Sequence, residues 1–238
     1  MKVEIPIGKY SDGKDYVIDL FDTHLFVSYS EQYQLNDFIK RLMQVISAKE
    51  FQKNIYIAIS KRRVEEIAES MEGALCFFRD DPEGGNVHSR GDLIKKVLAE
   101  IVKRQKVLKE KKIQSFSRYH SLNLWNSIKF EYSVFLIDDV WDLVTAKPKS
   151  IGMSLMRILL YGPDVGIHTI LASGISYRNL LQQLVTINPK ITQILQNKYG
   201  IPEPKQFSVL GNEIIFTLDE LVFYKHAGEM EFLRLFKL

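Results

Sequence analysis

The sequence predicts an α/β fold in which helices cover both faces of a mostly parallel central sheet. Strand-like segments alternate with segments of helical periodicity along most of the chain. The central strand-like segments are apolar throughout, as is usual for parallel strands that are buried on both faces. The chain has 238 residues, 46% of them hydrophobic and 26% charged, which suits a globular protein with a large core.

The predicted elements form a hairpin, an alternating α/β region and a β-rich C-terminal extension. The predicted strands span residues 3–6, 16–19, 24–28, 55–59, 75–78, 132–137, 167–172, 213–216, 220–224 and 230–235. The first two strands form an N-terminal β-hairpin, at about residues 3–20, because the turn-forming residues Ser11, Asp12 and Gly13 lie between them. The last three are the C-terminal β elements, at about 201–238, and we expect a single domain that spans 1–238.

Three helices are predicted from apolar residues at helical spacing. The first follows strand 24–28, and its apolar face begins at Leu35. The second is long, at residues 92–112, and has an apolar stripe on one face and a basic face opposite. The third spans about residues 150–161. Helices between strands are the crossovers that a parallel sheet requires.

Three segments at the carboxyl ends of predicted strands are candidates for a ligand site. They comprise residues 28–34, the pair Asp138 and Asp139, and residues 173–175. Ligands of open α/β sheets bind beyond the carboxyl ends of the strands. We therefore expect these three segments to converge on one crevice.

Residues 24–39, HLFVSYSEQYQLNDFI, have the strand–loop–helix layout of a phosphate-binding P-loop, but the chemistry of a P-loop is missing. A P-loop needs glycines so that its backbone N–H groups can turn toward phosphate, a lysine for the β- and γ-phosphates, and a Ser or Thr for Mg²⁺. This loop has no glycine and no lysine, and Glu31 places a negative charge where phosphate would lie. Tight binding of Mg-ATP is therefore not expected.

Residues 134–139, VFLIDD, form an apolar strand that ends in two acids, which is the Walker B arrangement. In that arrangement the first acid holds Mg²⁺ through water and the second orients the attacking water. This motif resembles the FtsK/SpoIIIE family of RecA-like DNA-translocating ATPases, which includes EssC-type secretion motors. Further segments share the resemblance, at residues 5–20, 24–27, 57–64, 99–119, 166–172 and 210–224. The resemblance covers roughly residues 5–224 and implies a RecA-like P-loop NTPase fold.

The resemblance also assigns site residues and shows where the chain departs from the family. Against the family's GxxGxGKS loop, Leu35 takes the place of the lysine and Asn36 that of the Ser or Thr. The residues of this degenerate nucleotide-binding loop are Ser28, Ser30, Gln34, Leu35 and Asn36. Ser173 stands at the family's sensor position, and Asp139 replaces the glutamate of Walker B.

Two interpretations of Asp138 and Asp139 stay open. They are either vestigial, capping local backbone N–H groups or pairing with a cation such as Lys61, or they form a live Mg²⁺ site that serves a neighbouring subunit. We favour the vestigial interpretation, and accordingly expect no metal and no cofactor. ATP with Mg²⁺ is the alternative.

The basic face of the helix at 92–112 is the candidate surface for a partner. Its representative cations are Lys95, Lys96, Lys103, Arg104 and Lys106. The face is either solvated, or a contact surface for another subunit, or a surface that binds nucleic-acid phosphates irrespective of sequence. It lacks the interleaved aromatic residues that stack on single-stranded bases.

Two function classes follow. The preferred one is a pseudo-ATPase, a structural or regulatory module of a larger DNA-translocation or secretion machine, with protein partners that include an active paralogue. The alternative is an active ATP-dependent translocase of DNA or protein, with duplex DNA as its partner. A single cysteine, Cys76, the absence of an apolar run long enough to span a bilayer and the absence of a signal peptide fit a cytoplasmic protein.

Overall fold

A computed structural model describes residues 4–9, 12–19, 24–30, 32–47, 55–59, 76–79, 90–114, 116–121, 130–175, 177–187, 211–216, 221–226 and 229–234. Its strands are β1 (Glu4–Lys9), β2 (Asp15–Asp19), β3 (His24–Ser28), β4 (Ile55–Ile59), β5 (Cys76–Arg79), β6 (Ser133–Ile137), β7 (Ile167–Ser173), β8 (Gly211–Phe216), β9 (Leu221–His226) and β10 (Glu229–Arg234). Its helices are α1 (Gln32–Ser47), α2 (Arg90–Glu110), α3 (Phe116–Ser121), α4 (Val140–Ala146), α5 (Met153–Tyr161) and α6 (Tyr177–Ile187). The predicted α/β class is confirmed.

The strands of the described residues lie in one sheet, in the order β2-β1-β10-β9-β8-β3-β7-β6-β4-β5. The centre, β3-β7-β6-β4, is parallel, and β8 and β5 continue it in the same direction. Every side chain of β3, β6 and β7 is buried. Because successive side chains of a strand point to opposite faces, both faces of this central sheet are covered.

The predicted N-terminal hairpin is present, and β1 and β2 pair in antiparallel register from Glu4 opposite Asp19 to Lys9 opposite Asp15. Its turn is local: the Lys14 N–H donates to Asp12 Oδ1 at 3.0 Å. Gly13 adopts a φ of +85°, which a residue with a Cβ rarely takes. The hairpin joins the sheet through β10, which pairs with β1.

Helix α2 ends two residues before its predicted limit. Ile113 N–H donates to Leu108 O at 2.9 Å and Lys112 N–H to Lys109 O at 3.1 Å, which is the Schellman pattern of a helix end. Lys112 takes the left-handed φ of +54° that this ending requires. Lysine gave no sequence signal for the ending, because glycine usually occupies that position.

The predicted helix at 150–161 is divided. A π-helical turn, Pro148–Gly152, leads directly into α5. Proline at the first position of the turn lacks an N–H, which a helix start leaves unbonded in any case.

Among the described residues, no helix is both long and apolar enough to cross a membrane.

Arg104 is a buried structural cation, so its prediction as part of the exposed basic face is wrong. Only 4% of Arg104 is accessible. Its guanidinium donates to Glu131 O at 2.8 Å, Val165 O at 3.1 Å, Ser133 Oγ at 3.0 Å and Glu100 Oε1 at 2.9 Å. Residue 104 shares the buried stripe of α2 with Ile101 and Leu108, and the physical reason for the error is that charge alone does not place a residue on a helix face.

Two aromatic rings complete the surroundings of Arg104. The guanidinium carbon lies 5.4 Å from the ring centre of Phe116 and 5.3 Å from that of Phe130, within the range of a cation–π contact. Burial lowers the pKa of Arg104 from its usual value, while its hydrogen bond to Glu100 and the charge of Glu100 raise it. Arginine stays charged at neutral pH in proteins, so α2 holds a cation against the start of β6.

His24 fastens the start of β3 to its neighbours. The Thr169 N–H donates to His24 Nδ1 at 2.9 Å, so Nδ1 is the acceptor and the hydrogen resides on Nε2. Nε2 then donates to Leu159 O at 3.2 Å. This neutral, fully buried imidazole joins β3, β7 and α5.

We predict that Arg104→Met lowers the free energy of unfolding by roughly 2 to 5 kcal/mol, because it leaves buried carbonyl oxygens and Glu100 without their cation. The control is the neighbouring Lys103→Met: Lys103 is exposed, pairs with Glu100 at the surface and lies 5.5 Å from the ring centre of Phe130, so its loss should change stability by less than about 1 kcal/mol. Urea denaturation measures the free energy of unfolding of both variants, which can be compared when their m values are equal. Equal losses in the two variants would contradict the structural role of Arg104.

Glycine is required at position 166 because of the backbone conformation there and because the Phe116 ring lies close to it. Its φ is +71°, and a Cβ placed on it would lie 2.1 Å from the Phe116 ring. We predict that Gly166→Ala destabilises the protein by about 2 to 4 kcal/mol through strain and overpacking. The matched control is Gly13→Ala, at a φ of +85° with open space around it, where only the strain of about 1 kcal/mol remains. Thermal unfolding of both variants separates backbone strain from overpacking. If Gly166→Ala lost no more stability than Gly13→Ala, the predicted clash with Phe116 would be refuted.

Candidate functional site

The three predicted segments meet at the carboxyl ends of β3, β6 and β7. Ser28 and Ser173 are partners in the parallel register of β3 and β7, and the Tyr29 N–H donates to Ser173 O at 3.2 Å. Asp138, directly after β6, donates its N–H to Ala58 O of β4 at 3.0 Å. The crevice therefore lies where open α/β sheets carry their ligand sites.

Tyr29 fills the space between the loop and the two carboxylates. Its hydroxyl lies 2.9 Å from Asp139 Oδ1 and 3.4 Å from Asp138 Oδ1. Only 8% of Tyr29 is accessible. The hydroxyl is the donor in both contacts, so the two carboxyl groups accept from a side chain inside the protein.

The carboxylate pair is held in a strained turn. Asp138 is fully buried, and its Oδ1 accepts the N–H of Asp139 at 2.7 Å. Asp139 precedes α4 with φ 48° and ψ 43°, a left-handed conformation that Asp tolerates better than most residues do. Arg90 Nη1, from the first residue of α2, donates to Asp138 O at 2.8 Å and to Asp139 O at 3.4 Å. The backbone of the turn is thus fixed from outside the loop.

In the loop at the position of a P-loop, a backbone N–H is bonded by the side chain of Gln34. Gln34 Oε1 accepts the Ser30 N–H at 3.1 Å, and Gln34 is buried while Ser30 is exposed. In a P-loop such an N–H would point at phosphate. Here the side chain of Gln34 accepts it instead.

The remaining loop positions belong to the core. Leu35 has no accessible surface, which confirms that it is a core residue of α1, and Asn36 beside it is 8% accessible. Ser173, at the sensor position, is also buried, and its Oγ accepts the Ile175 N–H at 3.1 Å in a local turn. These contacts leave Leu35 and Ser173 engaged within the fold.

The side chains that bind Mg-ATP in a P-loop are replaced at the described loop positions. The position of the phosphate-binding lysine holds a buried leucine, Leu35, and Tyr29 and Gln34 occupy the carboxylates and a loop N–H. Within the described part of the chain, no group of three or more His, Cys, Asp or Glu is placed to hold a metal ion. Lys61, an expected partner of the acids, lies outside the described residues.

The structure adds two residues that the sequence did not single out, Tyr29 and Arg90. Tyr29 directly follows a buried strand, but its bonds reach residues more than a hundred positions away. Arg90 follows a polar, glycine-bearing segment and bonds carbonyl oxygens, which carry no sequence signal. Only the topology brings these groups together.

The basic face keeps four of its five predicted cations. Lys95, Lys96, Lys103 and Lys106 are exposed on α2, whereas Arg104 is buried. Lys95 pairs with Asp92 at 3.0 Å and Lys103 with Glu100 at 3.6 Å along the helix. Exposed pairs of this type contribute little to stability.

Comparison with solved structures identifies the fold. The chain is similar to EssC (ATPases 2 and 3) from Geobacillus thermodenitrificans, with a TM-score of 0.65 at 15% identity over 98% of this chain and 44% of that one. The cytoplasmic domain of the type VII secretion ATPase EccC from Thermomonospora curvata matches with a TM-score of 0.60, at 15% identity over 98% of this chain and 28% of that one.

The pCW3 conjugation coupling protein TcpA, in its monomer form with ATPγS, matches with a TM-score of 0.66 at 14% identity, over 99% of this chain and 66% of that one. The chain thus spans less than two thirds of each of these three proteins. No family model matches the sequence, and no curated protein does either. The chain is structurally similar to FtsK/SpoIIIE-type ATPases at low sequence identity, and its RecA-like P-loop ATPase fold is confirmed.

We predict that Tyr29→Phe lowers the free energy of unfolding by about 1 to 2 kcal/mol, because the carboxylates lose a hydroxyl donor while the ring stays in place. The matched control is Tyr33→Phe, since Tyr33 lies on the same segment and is 55% exposed. That control should change stability by less than about 0.5 kcal/mol. Denaturant unfolding compares the two variants, and a neutral Tyr29→Phe would show that the hydroxyl does not hold the carboxylates.

Proposed function

We propose that this chain is a catalytically degenerate FtsK/SpoIIIE-like domain, a pseudo-ATPase that acts as a structural or regulatory module of a larger DNA-translocation or secretion machine. One observation carries the proposal: side chains of the protein itself contact two of the groups that would bind a nucleotide. Tyr29 donates to the acids that would serve Mg²⁺, and Gln34 accepts the loop N–H of Ser30. A nucleotide would have to displace both contacts.

The energetic deficit of the crevice supports the absence of catalysis. A charge-assisted contact of the kind made by the P-loop lysine contributes roughly 1.5 to 3 kcal/mol, and each 1.4 kcal/mol is about a factor of ten in affinity. Leu35 offers no such contact. The lost N–H groups of a glycine-rich loop add to this deficit. Without a positioned γ-phosphate, Asp138 and Asp139 have no water to orient, so they are vestigial in this proposal.

The similar proteins suggest the setting of such a module. EssC carries several ATPase units in one chain, EccC is a secretion ATPase and TcpA is a conjugation coupling protein. In a machine with several such units, one can keep the shape of the fold and leave hydrolysis to others. We therefore propose protein partners, including an active paralogue, and a place on the cytoplasmic side.

An active translocase with a non-standard phosphate loop is the second candidate. The observation that favours it is the retained pair of acids at the end of β6, in the position of Walker B. In this alternative ATP with Mg²⁺ would displace Tyr29 from Asp139 and duplex DNA would be the track. Among the residues that the structure describes, the crevice has no counterpart of the lysine.

We predict that titration with a non-hydrolysable ATP analogue and Mg²⁺ gives no binding heat up to about millimolar ligand. Asp138→Asn should behave in the same way, because Asp138 serves no metal in the pseudo-ATPase. Isothermal calorimetry on both proteins measures this. Micromolar binding that disappears in Asp138→Asn would establish a live site and favour the translocase.

A gain-of-function control uses the position of the missing lysine. Leu35→Lys alone should not create ATP hydrolysis, with or without duplex DNA, since the loop also lacks glycines and Gln34 still accepts the Ser30 N–H. The variant must first be shown to fold, because Leu35 is fully buried. Robust hydrolysis by a folded Leu35→Lys protein would refute the loop argument.

A further inference from the structure

The exposed face of α2 has an ordered pattern that the crevice does not use. Its centre line contains residues spaced alternately four and three positions apart, which places them one above the other on a helix. These residues are Lys95, Ala99, Val102, Lys106 and Lys109, and all are exposed. Val102 has 58% of its surface accessible, the largest fraction among the exposed large apolar residues of the described chain.

The chemistry of this line changes along its length. Ala99 and Val102 form a small apolar centre, and lysines lie beyond it at both ends. Lys96 and Lys103 flank the line on one side. The acids on this surface of α2, including Asp92, Glu100 and Glu110, are fewer than the lysines, and Glu100 also bonds the buried Arg104. The face is therefore positive with an apolar centre.

We propose that this face of α2 docks an acidic amphipathic helix of a partner protein. The small side chain of Ala99 allows a second helix to approach closely, and Val102 supplies apolar contact at the crossing point. Acids on the partner, one turn to either side of the crossing, would meet Lys95 and Lys106, and an acid two turns away would meet Lys109. The inference rests on the proposed function, which calls for protein partners.

The same pattern argues against duplex DNA as the occupant. A phosphate backbone needs donors along the whole contact, and the centre of this line has none because Ala99 and Val102 are apolar. An apolar centre between charged ends instead matches the anatomy of a protein interface, with an apolar core and a charged rim.

The test uses a designed helical peptide as long as α2, with leucines at the crossing point and glutamates one turn to either side. A peptide of the same composition in scrambled order is the reference. Fluorescence anisotropy measures binding of each peptide, and of labelled duplex DNA, to the full chain at about 0.05 M and 0.3 M salt. We expect the designed peptide alone to bind, and to bind more weakly at the higher salt.

Variants locate the binding on α2. Lys106→Glu with Lys109→Glu should weaken peptide binding roughly tenfold or more, and the neutral Val102→Gln several-fold. The matched controls, Lys147→Glu with Lys149→Glu and Val17→Gln, change exposed residues of the same types elsewhere and should have no effect. Thermal unfolding checks that each of these variants is folded.

Each other outcome overturns the proposal. Absence of peptide binding, equal binding of the scrambled peptide, or equal losses in the controls would each show that the face does not recognise an acidic helix. Binding of duplex DNA that depends on Lys106 and Lys109 but not on Val102 would assign the face to nucleic acid. The nucleotide titration reports on the crevice and the peptide titration on α2, so either proposal can fail while the other stands.

Discussion

The attachment of α2 to both ends of β6 is the constraint on which the described structure depends. Arg104 bonds the backbone and side chain at the entrance of β6, and Arg90 bonds the carbonyl oxygens just after its end. The two arginines are fourteen positions apart, about 21 Å along a helix. Residues 131–138 span about 23 Å as extended chain. Helix and strand therefore match in length, and this match sets where the acids at the end of β6 stand.

The crevice follows from that placement. Arg90 fixes the carbonyl oxygens of Asp138 and Asp139, which helps to maintain the left-handed turn at Asp139. Both carboxylates then face Tyr29, whose position is set by the register of β3 with β7. In active NTPases such groups are preorganised for a ligand. Here the same groups are directed at a side chain of the protein itself, because the Tyr29 hydroxyl donates to Oδ1 of each carboxyl group.

Periodicity predicted much of this architecture, and long-range contacts explain what it missed. Apolar runs gave the central strands, and helical spacing gave Leu35 its place in the core. Arg104 could have been placed correctly, since it continues the spacing of Ile101 and Leu108, but its charge grouped it with the lysines. Tyr29 carried no such signal, because the acids that it bonds are distant in sequence and reach it only through the sheet. The convergence of the three segments was predictable, whereas the position of the Tyr29 side chain between them was not.

The same contacts explain how such a fold can persist without a nucleotide. In a ligand-dependent fold, binding energy contributes to stability, so loss of the ligand weakens the structure. In this chain the carboxylates, the loop and α2 are held by Tyr29, Gln34, Arg90 and Arg104, all internal groups. A helix held by Arg90 and by the buried Arg104 also loses little conformational entropy when a partner binds its exposed face. The interactions that hold the crevice therefore also make α2 a well-ordered surface, and in the proposed pseudo-ATPase this connects the crevice to docking of a partner.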